Sequence, residues 1–406
     1  MFSSLKIKNF RIYWIGMFFS LTGTWIQAVA QSWLVFQLTG SAFLLGVVGF
    51  LSTIPVFLLS LFGGVLADRV NKRKILLVTQ TAFMCLAFFL AVEIQRNTIT
   101  TGHIMAAALL NGLVMAFDAP CRQAVVVELV GKKNLVNAIA MNSVAFNSSR
   151  VIGPALAGIL VSTIGMSGCF YINGFSFLAV LCALFLVKVH DTRKRGKSSA
   201  FADLADGMRF IRQHRIIMVL IAMVAAVSLF GVSYVILMPI FANEILHVGM
   251  RGLGMLMSSA GIGALAGALL LARLSEYAYK RKFLIAACFI FSFSLICFSL
   301  STDFVFSLFI LGSMGASSVF ALSLINIFLQ HKVPDEYRGR VMGVFMLTFA
   351  GMMPFGNLFC GAVSHFLGVS YTVFLSGIMC ACIFLSLSVF SRWFEALDKF
   401  SRAQKN

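Results

Sequence analysis

Between Ile12 and Ala67 the chain has not one Asp, Glu, Lys or Arg. A run of that length is enough for two membrane crossings of about 20 residues each, and the break at Thr39-Gly40-Ser41 divides it. Long apolar stretches separated by short polar gaps continue to the far end. They give twelve expected helices, near 12–38, 41–67, 74–94, 101–123, 134–163, 167–187, 216–243, 252–273, 282–301, 303–330, 338–366 and 369–391. Composition agrees, because 60% hydrophobic and 11% charged residues with a mean hydropathy of +0.95 leave too little polar surface to coat a water-soluble globule, where about 25% of residues are charged. The first apolar run is too long for the core of a secretory leader and is expected to stay as the first helix.

Charge placement sets the orientation. Of 32 Lys and Arg, all but Arg96, Arg150 and Arg251 fall in every second gap between apolar runs or at the two ends. By the positive-inside rule these basic loops face the cytoplasm, and so do both termini. The formal charge of +18 is spread over seven such segments, without a basic face interleaved with aromatics, which argues against nucleic acid as a partner. It is suited instead to membrane lipid of negative charge. The nine cysteines lie mostly inside apolar runs and show neither a disulfide framework nor metal-ligand spacing, so no metal and no cofactor is expected.

A weak internal repeat appears at a spacing of 203 residues, which separates Gly64 from Gly267, Val130 from Val333, Gly153 from Gly356 and Gly158 from Gly361. Two six-helix halves of like orientation follow, at 1–187 and 216–392, joined by a cytoplasmic linker at 188–215 and followed by a tail at 393–406. Within the linker, Phe201, Leu204, Met208 and Ile211 recur at helical spacing beside Asp203, Arg209, Arg212 and Arg215, the pattern of an amphipathic surface helix. Parallel six-helix repeats are the layout of the major facilitator fold, and the fold class expected is all-α integral membrane of that type.

Local motifs point the same way. Gly63-Gly64-Val65-Leu66-Ala67-Asp68-Arg69-Val70-Asn71-Lys72-Arg73-Lys74 resembles the loop 2–3 signature of the major facilitator superfamily. A plain basic loop accounts for its cations but not for Asp68. Asn71 stands at the signature's second Gly, and Asn also visits left-handed backbone conformations. The resemblance implies a conformational lock built on Gly64, Asp68, Arg69 and Lys72 together with an acid on the fourth helix, here Asp118. Asp118 is also a candidate proton carrier, although Arg122 stands one helical turn away and can pair with it.

On the fifth helix, Ser149-Arg150-Val151-Ile152-Gly153-Pro154-Ala155-Leu156-Ala157-Gly158 resembles the superfamily's antiporter motif, matched at Gly153, Pro154 and Gly158 and departing from it at Ser149 and Ala157. Proline removes a backbone donor and should bend this helix. Arg150 is the one cation placed near mid-membrane, where it either clamps carbonyl groups or meets an anionic substrate group. Gln27 and Gln31 share a face of the first helix and either present amides to a substrate cavity or bind helices together. Trp14–Lys74 and Ala116–Ala124 are similar to the branch that contains the enterobactin exporter and macrolide-efflux proteins. Many of those relatives carry charges on the first helix where this chain has Ala28 and Ser32.

The function that these features imply is secondary transport: proton-coupled export of a small amphipathic molecule, such as a siderophore or drug, by a monomer in the cell inner membrane. Import of a similar solute, lysophospholipid flipping and a non-transporting sensor stay open as alternatives. Enzymatic chemistry is disfavoured, since the six histidines are scattered and there is no HExxH, Gly-x-Ser-x-Gly or phosphate-binding loop.

Overall fold

A hydrocarbon layer offers no partner to an exposed peptide group, so a chain this apolar must bond its amides within helices. The computed structural model describes residues 3–187, 200–274 and 280–389, and it is helical almost throughout. Most of the linker's first half and all of the expected tail lie outside the described residues, as does the side chain of Asp68.

The helices are α1 Lys8–Thr39, α2 Ala42–Arg69, α3 Lys72–Gln95 and α4 Thr101–Gly131. The stretch Lys133–Leu186 then divides at Gly165 into α5 (133–164) and α6 (166–186). After the linker helix Ala200–Gln213 come α7 Arg215–Ile245, α8 Gly249–Leu274, α9 Lys280–Leu300, α10 Phe304–Lys332, α11 Asp335–Leu367 and α12 Val369–Val389. Twelve crossings result, as the charge pattern requires.

The breaks have simple causes. Gly131 and Gly165 adopt φ of 67° and 78° with ψ near 175°, a conformation closed to residues with a side chain, and each turns the chain sharply. Gly40 ends α1 in the left-handed region at φ 59°, after which Ser41 caps α2 by accepting from the Leu44 amide at 3.3 Å. Asp303 does the same for α10, accepting from Phe306 at 2.7 Å. Such a cap contributes about 1 kcal/mol.

Asn71 corrects one expectation. Its φ of −60° and ψ of 112° are extended rather than left-handed, and its side chain caps α3 by accepting from the Lys74 amide at 3.2 Å. Asparagine suits the place because it is among the best N-caps.

Two other elements differ from expectation. The fourth helix runs on past residue 123 to Gly131, because Val125, Val126, Leu129 and Val130 bury themselves against Phe10, Tyr13 and Leu76. The seventh crossing is not a plain α-helix: its turns widen at Val227–Gly231, tighten to 3₁₀ at Ser233–Leu237 and widen again at Phe241–Ile245. Pro239 lacks the amide that would reach back one turn. The Ser228 hydroxyl donates to the Phe349 carbonyl of α11 at 2.5 Å, and the Ser233 hydroxyl to the Ser228 carbonyl at 3.3 Å. Pro154 and Pro354, by contrast, sit inside α5 and α11 without interrupting them.

The chain divides into two compact units, one formed by residues up to Lys197 with Val248–Ser258, the other by Ser198–His247 and the residues from Ser259 on. The internal repeat acquires a physical meaning inside them. In the first unit a side chain added at Gly153 of α5 would strike α1 at Trp25 and at the backbone of Thr22 and Ile26. In the second, one added at Gly356 of α11 would strike α7 at Leu229 and Ser233. The same spacing of 203 residues separates Ile26 from Leu229, so equivalent glycines bring equivalent helices into contact.

Candidate functional site

The charged chemistry of the first unit collects where α3 meets α4. Asp118, on α4, is wholly buried. One of its carboxylate oxygens accepts from the Thr79 hydroxyl and the Gln80 amide of α3, each at 2.7 Å. The other accepts from Nε of Arg122, one turn further along α4. A buried carboxylate is tolerable only with such partners, and three donors, one of them a cation, supply them. Arg122 in turn reaches α1, where its Nη1 lies 3.6 Å from the Met17 sulfur. The Tyr13 hydroxyl and the second polar atom of Gln80, Oε1, are also buried but have no hydrogen-bond partner among the described residues.

About three turns along α4, Glu128 pairs with Lys72 at the start of α3. Their separation is 2.6 Å, and the side chains are 8% and 7% exposed. Among the described residues, two distinct ion pairs thus join or brace α3 and α4. Lys72 and Asp118, expected together in a lock, are not brought together. Arg69 is exposed at the end of α2.

The paired glycines of the same motif have unequal roles. Gly63 packs so closely on α4 that a Cβ would run into the Ala116 carbonyl, while nothing lies within 4 Å of the place a Gly64 side chain would take. Gln27 is buried, and its carbonyl oxygen accepts from the Asn173 amide at 2.6 Å, tying α1 to α6. Gln31, a turn later, is half-buried, as is Arg150 on α5. Gly158, four residues after Pro154, faces the backbone of Met250 and Arg251 at the start of α8.

Sequence reasoning passed over Thr79, Gln80, Asn173 and Glu128. The first three carry no signal of their own, since short polar residues abound in membrane helices and their partners depend on helix register. Glu128 did carry one: it is the only acid between Asp118 and Asp191, in a segment that ends in Lys132 and Lys133.

These features define a polytopic transporter whose charges lie at helix junctions and not in a reaction centre. In overall fold the chain is similar to a bacterial homologue of the human lysosomal transporter Spinster, solved inward-facing and unoccupied, with a TM-score of 0.76, 13% identity and coverage of 96% and 97% of the two chains. Residues 1–406 match the family described as transmembrane secretion effector, a branch of the major facilitator superfamily, and the chain belongs to that family. Among its relatives are the staphyloferrin A transporter of Staphylococcus aureus, 26% identical over 92% of this chain and 94% of that one, and macrolide efflux protein A of Streptococcus pyogenes, 23% identical over 94% and 95%. The protein is a membrane transporter and not an enzyme.

Proposed function

We propose that this protein exports a small amphipathic molecule from the cytoplasm, as a monomer in the cell inner membrane with both termini inside, in exchange for protons. The observation that carries the coupling is Asp118: a carboxylate closed off from solvent, held by two donors from α3 and one cation from its own helix. A proton placed on it cancels the charge around which Thr79, Gln80 and Arg122 are arranged. Those partners are then released, and α3 is free to shift on α4. A change in charge at a packed helix junction is a local event of the kind that biases a two-state transporter.

The lock reading of Gly64, Asp68, Arg69 and Lys72 is compatible with this, with Lys72 acting through Glu128. Arg150 and Gln31 are the candidates for substrate contact, and Gly153, Pro154 and Gly158 for the helix packing that goes with export. The relatives, a siderophore transporter and a macrolide efflux protein, support a substrate of that size and character. The reading needs no cofactor.

Transport into inverted vesicles energised acid-inside tests it, with labelled macrolide and labelled staphyloferrin A as probes. Accumulation that collapses with a protonophore is expected. Asp118→Asn, which keeps the shape of the side chain, should abolish concentrative uptake yet allow exchange down a gradient, with unchanged expression. If the variant still concentrates the probe, the coupling acid lies elsewhere, with Glu93 and Glu244 next in line. Accumulation only in right-side-out vesicles would make the protein an importer.

A further inference from the structure

Alongside the Asp118 junction, the outer side of α2, α3 and α4 carries an apolar groove of about 470 Å³. Leu66 and Val70 of α2, Val78 of α3 and Phe117 of α4 are among its walls, and Val78 is 70% exposed. Lys74 closes one end, and Arg69 is exposed at the end of α2, close by in the chain. Along α3 the lining runs from Lys74 to Ala82, which is about 12 Å at ~1.5 Å per residue. That is close to the depth of one leaflet, half of a hydrocarbon core of about 30 Å. The groove therefore begins among basic side chains at the level of lipid headgroups and ends near mid-membrane.

We propose that it is a binding site for one anionic phospholipid of the leaflet on the side of the α2–α3 turn. An acyl chain lies along α3 between Val78 and Phe117, and the phosphate meets Lys74 and Arg69. Charge decides the class of occupant: an apolar recess accepts any hydrocarbon chain, but cations at its mouth select a negative headgroup. The groove also shares Thr79 with the buried junction, since this residue lines the recess and donates to Asp118. A lipid seated there rests against the back of that hydrogen bond.

Native mass spectrometry of the full-length protein tests the site, with phosphatidylglycerol and phosphatidylcholine of identical acyl chains as probes. Wild type should retain phosphatidylglycerol at the lower concentration. Val78→Trp fills the groove from an exposed position and should remove most of that bound fraction without moving the melting midpoint. Lys74→Gln should raise the concentration for half-occupancy about fivefold, the effect of one basic residue near a charged headgroup, and leave phosphatidylcholine unchanged. Val305→Trp on α10, another exposed apolar position, is the control and should change nothing. Equal retention of the two lipids in wild type overturns the proposal. So does undiminished binding in Val78→Trp, or a loss in Val305→Trp as large as in Val78→Trp.

Discussion

Adjacent residues can share a motif and yet differ entirely in what they do, as Gly63 and Gly64 show. The first lets α2 touch the backbone of α4, and the second faces open space. Gly63→Ala should therefore cost roughly 1–3 kcal/mol, the usual penalty for forcing atoms into a packed contact. Gly64→Ala should stay within about 0.5 kcal/mol of wild type, as for a substitution that touches nothing. Thermal unfolding in detergent measures both, and equal shifts for the pair would sink the assignment. What the sequence revealed at this scale was residue type. Asp118 was legible because a carboxylate inside an apolar run needs a partner, and Arg122 because it stands one turn away. Thr79, Gln80 and Asn173 were not, because their partners come from other helices and depend on a rotation that local sequence does not encode. Lys72 was singled out, but paired with an acid other than Glu128, for the same reason.

The elements differ in how far sequence alone decides them. That the linker forms a helix was readable from its apolar period, but its packing on α11 was not: Met208 of that period is exposed, while Phe210 and Ile211 are buried. Phe210 stacks between His214 and Tyr337, with ring centroids 4.0 and 4.5 Å away, and Gly207 lets the two backbones approach. Arg340 bonds Asp203 at 3.0 Å and approaches Asp206 at 3.4 Å. These ions are a third or more exposed, so each pair is worth only about 0.2–1 kcal/mol. The ring stacking adds about 0.5–1.5 kcal/mol to the burial of Phe210. Phe210→Ala should thus speed amide exchange across Asp203–Gln213 more than Arg340→Gln does; the reverse order would make the ion pairs the main tether. In α7, hydropathy alone suggested an ordinary crossing, and the irregular turns around Gly231 and Pro239 came only with the structure. Its widened turns also involve the Ser228 contact with α11, a tertiary interaction beyond the reach of any local pattern.

For the whole molecule, a membrane leaves its record in the order of charges along the chain, and this is why the twelve crossings were legible before any helix was placed. The repeat was fainter, surviving at a few positions such as Gly153 and Gly356, where a small residue is needed for the same helix contact in each unit. Orientation rests on the basic loops alone, so it makes the most exposed prediction. In a cysteine-free background, single cysteines at Arg96 and Thr302, in the α3–α4 and α9–α10 turns, should react in intact cells with a membrane-impermeant thiol reagent. Cysteines at Ser198 and Glu336 should react only after the membrane is opened. Replacing Arg96 removes one of the three cations outside the basic set and so favours the predicted orientation; a separate single cysteine at Asn97, which leaves the charges as they are, is the control and should label in the same way. Labelling of Ser198 from outside would invert the protein, and with it the direction of transport assigned to the vesicle experiment and the leaflet assigned to the lipid groove.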